Sequence, residues 1–163
     1  MVPTMSDAEF YADPTHSIGY LTRIAFRAFS RALEVRTAPH GVSAGQWRFL
    51  RVLWQEDGLT QRELSRRVGM REPTTVIALN SLERSNFVVR QKSVEDRRKV
   101  HVYLTPQAKA LHPVLMPMVA EVNAVALAGL TPDEIAILRK ALTQVGRNLA
   151  VDADDAPTTD SAA

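Results

Sequence analysis

The sequence predicts a mainly α-helical protein with one small β-hairpin set late among its helices. Three observations point to this class. Apolar residues recur at helical spacing over most of the chain, Ser and Thr capping signals punctuate that pattern, and two β-prone stretches, Phe87 to Lys92 and Val100 to Leu104, flank the charged run Ser93 to Lys99. A length of 163 residues suits one domain of ordinary size with its own core, and excludes two large independent domains.

Helix 1 begins after Ser17. Ile18, Leu21, Ile24, Ala25, Ala28 and Leu33 recur at helical spacing, interleaved with Arg23, Arg27 and Arg31, until Pro39, His40 and Gly41 break the pattern. Ser43-Ala-Gly-Gln46 is a capping box that opens helix 2, whose apolar stripe is Trp47, Leu50, Leu53 and Trp54, closed near Asp57-Gly58. A second capping box, Thr60-Gln-Arg-Glu63, opens the short helix 3 with Leu64 and Val68 inward, and Gly69 can end it in the left-handed conformation. Pro73 suits the first turn of helix 4, along which Thr75, Ala78, Leu79 and Leu82 line one face, and Asn86 tolerates the positive φ needed to leave it. After the hairpin, Thr105-Pro106 and Thr131-Pro132-Asp133-Glu134 each place a cap and then a proline, so two closing helices should run roughly to Ala128 and Asn148. Pro113 and Pro117 inside the fifth helix remove two amide donors and should bend it.

Composition excludes several function classes. The chain has no cysteine, which removes disulfides, thiolate nucleophiles and Cys-containing zinc sites. No apolar run is long enough for a membrane-spanning helix, so no membrane partner is expected. Met1 to Asp13 is acidic and fits neither a secretory signal nor a transit peptide, so a cytoplasmic location is expected. The net charge of +2 hides an asymmetry: the Asp-rich end from Val151 has no base, and the excess of Arg and Lys concentrates between Thr60 and Lys99. Such a block is an electrostatic footprint for a polyanion.

Helix, helix, short helix, tight turn, second short helix and hairpin is the order of a winged helix-turn-helix, which lays the second short helix in a major groove with the hairpin beside it. The expected organisation is a flexible N-terminus (1–15), a dimerisation helix (16–42), the winged helix-turn-helix domain (43–104), C-terminal dimerisation helices (105–150) and a disordered acidic tail (151–163). GLTQRELSRRVGM, LNSLERSNFVVR, Asp96-Arg97-Arg98 followed by Leu104-Thr105, and GLTPDEIAILRKALTQVGRNL, in that order, resemble the MarR family of bacterial transcriptional regulators. The resemblance spans nearly all of the chain from helix 1 onward and implies a partner in double-stranded DNA.

By that resemblance, Arg98 takes the place of the wing arginine that enters the minor groove and Asp96 that of the carboxylate that orients it. The physics agrees, since a guanidinium prefers the narrow, electronegative minor groove and a paired carboxylate fixes its fork. Arg97 and Lys99 share the hairpin tip. On helix 4, a turn of about 100° per residue from the apolar face puts Thr74, Ile77, Asn80, Ser81 and Arg84 outward, with Arg71 at the start. Asn80 can pair bidentately with adenine, Thr and Ile can touch a thymine methyl, and Arg84 suits a phosphate. The family often has arginine where Ile77 and Ser81 stand, which moves specificity toward indirect readout or Arg71. Thr75 points inward, and a packing role stands beside the DNA role for it. Arg62, Arg66, Arg67, Arg90 and Lys99 are candidate phosphate neutralisers, with plain solvated charge as the alternative.

Helix 1 and the two closing helices carry more apolar surface than one small winged domain can cover, and the resemblance implies a homodimer that intertwines them. It also implies a cleft beside those helices that takes a small aromatic effector, an acid or a phenol. His16, Tyr20, Arg23, Trp47 and Arg51 are the expected effector residues, with Trp54 better placed as core. No catalytic motif is present and no cofactor is expected, so an enzyme is disfavoured. A metal-responsive regulator, using His112 and Glu121, and a winged-helix protein-interaction module are the remaining alternatives.

Overall fold

The computed structural model describes residue 6 and residues 12–155. A 3₁₀ turn over Pro14–His16 is capped by Asp13, whose Oδ1 accepts from the Thr15 amide at 2.8 Å. Asp13 and Pro14 together form this local cap inside the stretch 1–15; residues 1–5 and 7–11 lie outside the described residues. Helix α1 (Ile18–Thr37) follows, with Ser17 as its cap. The chain then turns through a second 3₁₀ segment, Ala38–His40, and Gly41 at φ 76.

Helix α2 (Ala44–Gln55) and helix α3 (Gln61–Val68) both open with the reciprocal bonds of a capping box, from Ser43 and Gln46 and from Thr60 and Glu63. Helix α4 (Glu72–Arg84) begins one turn later with Pro73 in its first turn. Asn86 leaves it at φ 58, the one non-glycine residue with positive φ among those described.

Strands β2 (Val88–Lys92) and β3 (Val100–Leu104) pair antiparallel with Val88 opposite Leu104 and Lys92 opposite Val100. The sequence reading expected only this hairpin. The structure adds a two-residue strand β1 (Leu59–Thr60), which pairs with β3 through Leu59 and Val102 and gives a three-stranded sheet in the order β1-β3-β2. So short a strand leaves no alternating pattern, and only its partner reveals it.

Helix α5 (Pro106–Ala126) continues through both Pro113 and Pro117. Its cap is Thr105, whose Oγ1 accepts from the Ala108 amide at 3.2 Å and donates to the Asn86 carbonyl at 2.7 Å.

The chain divides into two units, residues 1–123 and 124–163. In the first, Phe49, Leu50 and Leu53 of α2, Leu64 of α3, Leu79 and Leu82 of α4, Val88 and Val102 of the sheet and Leu115 of α5 are almost wholly buried together. Each fully buried large apolar side chain contributes roughly 1.5–3 kcal/mol, so this knot fixes where α4 and the strands stand.

In the second unit, helix α6 (Pro132–Asp155) starts with another reciprocal cap: Thr131 Oγ1 accepts from the Glu134 amide and Glu134 Oε2 from the Thr131 amide. It passes the expected end near Asn148 and runs into the expected disordered tail. No glycine or proline stands between Asn148 and Asp155, and the next helix breaker is Pro157. Residues 156–163 lie outside the described residues.

Thr75 is 1% exposed and its Oγ1 has no hydrogen-bond partner among the described residues. A buried hydroxyl without a partner costs roughly 1–3 kcal/mol. Thr75→Val is therefore expected to raise unfolding stability by about 1 kcal/mol in urea titration. A loss of that size would mean that the hydroxyl has a stabilising partner.

Candidate nucleic-acid interface

The turn between α3 and α4 is closed locally. Gly69 adopts φ 72, its amide bonds the Arg66 carbonyl, the Met70 amide bonds the Ser65 carbonyl, and the Ser65 hydroxyl donates to the Met70 carbonyl. With Leu64, Leu79 and Leu82 buried behind it, α4 turns Arg71, Thr74, Ile77, Asn80 and Arg84 outward. Ile77 is 69% exposed, a large apolar side chain held in water on the same helix as these polar groups.

Two of the candidate DNA-contact residues are not on that face: Thr75, read as pointing inward, and Ser81, read as pointing outward. Thr75 belongs to the core, where a β-branched side chain fills the gap beneath the first turn. Ser81 is half-buried against α2, and its Oγ accepts from Gln46 Nε2 at 3.3 Å; Ser85 accepts from the same nitrogen at 2.9 Å.

At the tip between β2 and β3, the Ser93 amide bonds the Lys99 carbonyl and the Lys99 amide bonds the Asp96 carbonyl, both at 2.9 Å. Arg97, Arg98 and Lys99 are exposed on this loop. Asp96 Oδ1 accepts from Arg98 Nε at 3.1 Å and from its amide at 3.1 Å, while Oδ2 accepts from Nη2 at 3.3 Å. These bonds from Arg98 hold the Asp96 carboxyl below the ordinary carboxylate range. The fork is thus set while the guanidinium stays in solvent.

The candidate phosphate cations divide. Arg66 is exposed, Arg62 lies 3.7 Å from Glu72, and Arg67 is paired with Glu56 at 2.6 Å. Arg90 corrects the sequence reading, because it is half-buried at the base of the wing. Its amide and Nη2 both bond Glu83, Nη2 also donates to Asn80 Oδ1 at 2.6 Å, and Nη1 donates to Gln61 Oε1 at 3.3 Å. Sequence reasoning missed Glu83, Gln61 and Gln46 as partners; for Glu83 the nearest signal was one carboxylate seven positions before a strand arginine across a turn.

Within the same unit an open cleft of about 850 Å³ is lined by Phe26, Phe29, Trp47, Arg48, Arg51, Trp54, His112 and Asn123, among others. Trp54 meets Trp47 edge-on at 5.6 Å and His112 at 5.2 Å, and its Nε1 donates to the Ala108 carbonyl at 3.0 Å. Trp47 and Arg51 therefore line the cleft as expected residues, and Trp54, expected as core, is half-buried in its wall. His16, Tyr20 and Arg23 do not line it. Phe26, Phe29, Ser30 and Leu33 make the facing stripe of α1, whereas His16 lies in the preceding 3₁₀ turn and Tyr20 and Arg23 on earlier turns of α1, where Arg23 stacks over the Tyr20 ring at 5.4 Å.

Among the described residues no three His, Asp or Glu side chains gather to hold a metal, and no helix is long and apolar enough to cross a membrane.

A short helix, a tight turn, an outward-facing second helix and a basic hairpin define a winged helix-turn-helix protein. Residues 42–100 match the model of the MarR family. The crystal structure of the transcriptional regulator PA3341 superposes with a TM-score of 0.72 at 33% identity, covering 82% of this chain and 98% of that one. The HTH-type transcriptional regulator TtmR of Methylorubrum extorquens (strain PA1) is 34% identical over 87 residues, 53% of this chain and 45% of its own. The homoprotocatechuate degradative operon repressor of Escherichia coli is 30% identical over 73 residues, 45% of this chain and 49% of its own. The chain spans about half the length of these two curated relatives. It belongs to the MarR family, whose members are transcriptional regulators and not enzymes.

The bonds from Arg90 hold the Glu83 carboxyl below its ordinary 4.5. A carboxylate whose folded pKa is depressed adds stability that is fully present above its unfolded value and fades as pH falls through the folded one. The stability advantage of the native chain over Glu83→Gln should therefore be level above about pH 5 and shrink below it in urea unfolding. An advantage independent of pH would contradict the pairing.

Proposed function

We propose that the protein is a cytoplasmic, homodimeric DNA-binding repressor that grips a pseudo-palindromic operator and is released by a small aromatic acid, a phenol or the corresponding thioester. The observation that carries this reading is the outward face of α4, with Thr74, Ile77, Asn80 and Arg84, tied through Arg90 to a wing whose Arg97 and Arg98 stand in solvent. An α-helix of this kind fits a major groove, and an exposed arginine held by a carboxylate fits the minor groove beside it.

Exposed apolar side chains support the dimer. Ile18, Leu21, Ile24 and Phe26 on α1, Val125 on α5 and Ile137, Leu142 and Leu149 on α6 are each more than two-fifths exposed in the single chain. Burying such a surface needs a partner, and a second copy supplies it with twofold symmetry. Two recognition helices would then meet half-sites roughly 34–36 Å apart.

The aromatic cleft supports the effector class. Trp47, Trp54 and Phe26 offer ring faces and edges, while Arg48 and Arg51 offer cations that can pair with a carboxylate. The repressor of an aromatic-acid operon among the relatives points the same way. Release requires that the effector bind the DNA-free geometry more tightly than the bound one.

Arg98→Ala should weaken operator binding by roughly ten- to a hundredfold in fluorescence anisotropy while sedimentation still reports a dimer. Unchanged affinity would refute the wing assignment. In a thermal-shift screen of aryl carboxylates, phenols and their thioesters, a true effector at a hundred times its Kd should stabilise the protein by about 2.7 kcal/mol. The gain should fall sharply in Arg51→Ala, and a screen without any response would remove the effector from the proposal.

A further inference from the structure

We infer that Arg90 orients the Asn80 amide so that its NH₂ leads toward a bound base, and that the base facing it is one with an acceptor edge, guanine first and thymine second, rather than adenine. The inference rests on the DNA-binding reading above and sharpens it. A guanidinium has five N–H donors and no acceptor, so the side-chain oxygen of any amide it touches must face it. Arg90 Nη2 lies 2.6 Å from Asn80 Oδ1, and Arg90 Nη1 lies 3.3 Å from Gln61 Oε1. Both amides are thereby oriented by the cation, oxygen toward Arg90 and NH₂ away from it.

Arg90 itself cannot easily swing aside. Its side chain is 22% exposed, and Glu83 takes both its amide and its Nη2 through the two carboxylate oxygens. A free asparagine reads adenine by giving one hydrogen bond to N7 and accepting one from the N6 amino group. Here that amino group would have to reach the second lone pair of an oxygen that is turned toward Arg90 and lies beside its positive charge. The guanine edge makes no such demand, because O6 and N7 both accept, and the nearby guanidinium charge favours that electronegative edge. Thymine offers one acceptor, O4. Gln61, at the start of α3, presents its NH₂ in the same way, which suits a phosphate oxygen.

The test is selection from a randomised duplex library with the full chain in three versions: native, Asn80→Ala and Asn80→Asp. Aspartate keeps an oxygen for Arg90 but has no donor, so it isolates the donor from the contact. The native protein should enrich guanine, or thymine, roughly five- to tenfold over adenine at one position per half-site. Asn80→Ala should level that position alone, and Asn80→Asp should move it to cytosine or adenine, whose amino groups donate. Thermal unfolding of each version confirms that it is folded.

Enrichment of adenine at the position that Asn80→Ala levels would overturn the inference, as would a selected sequence that neither substitution changes. A native protein that retains no duplex of any sequence would instead bring down the DNA-binding reading and this assignment with it.

Discussion

The corner where α4 gives way to β2 is the constraint on which the exposed surface of α4 and the wing depends. A recognition helix and a wing can grip one duplex only if their relative position is fixed before the duplex arrives, since any freedom there must be lost on binding. Three devices fix it. Asn86 turns the chain at φ 58, Phe87 is 2% exposed with its amide on the Leu82 carbonyl and its carbonyl on the Thr105 amide, and Arg90 reaches back to Glu83 on the helix. The first sets direction, the second anchors the corner in the core, and the third removes the remaining hinge.

The electrostatics divide along the same line. At the base of the wing, the Arg90 pair is partly shielded from water and couples two elements. At its tip the Arg98–Asp96 pair is largely exposed on the arginine side, where an ion pair adds little to stability. What the tip pair supplies is orientation: two bonds from the guanidinium, with a third from the Arg98 amide, hold the fork in one attitude. Positive charge thus stays available at the tip while the structural arginine behind it is spent on holding the fold. The exposed face of α4 follows the same logic, with core leucines behind and Arg71, Ile77 and Asn80 left for a partner.

Most of the helices were readable because their signals are local. The Ser43–Gln46 and Thr60–Glu63 boxes lie within four residues, Gly69 and Asn86 occupy positions that demand positive φ, and the wing tip is one charged stretch between two β-prone ones. What stayed hidden depends on residues far apart. Strand β1 exists only because Leu59 meets Val102, and the cleft joins Phe26 and Trp47 to His112 and Asn123. Ser81 looked outward by helical angle, yet Gln46 of α2 reaches it across the packing. Tyr20 had the chemistry of an effector wall and stands on a turn of α1 outside the cleft lining. Arg90 had the charge of a phosphate contact, and its burial against Glu83 could not be seen from composition.

Helix α2 connects the two regions, lining the cleft with Trp47 and Arg51 and touching α4 through Gln46. All of this presupposes that the basic surface meets duplex phosphates. The most direct measurement is the affinity for double-stranded DNA as a function of salt. If a dimer neutralises on the order of 6–10 phosphates, affinity should fall by roughly three to five decades between about 50 and 200 mM salt. An affinity that stays flat across that range, or no binding to duplex at the lowest salt, would contradict the assignment of the wing and recognition helix to DNA.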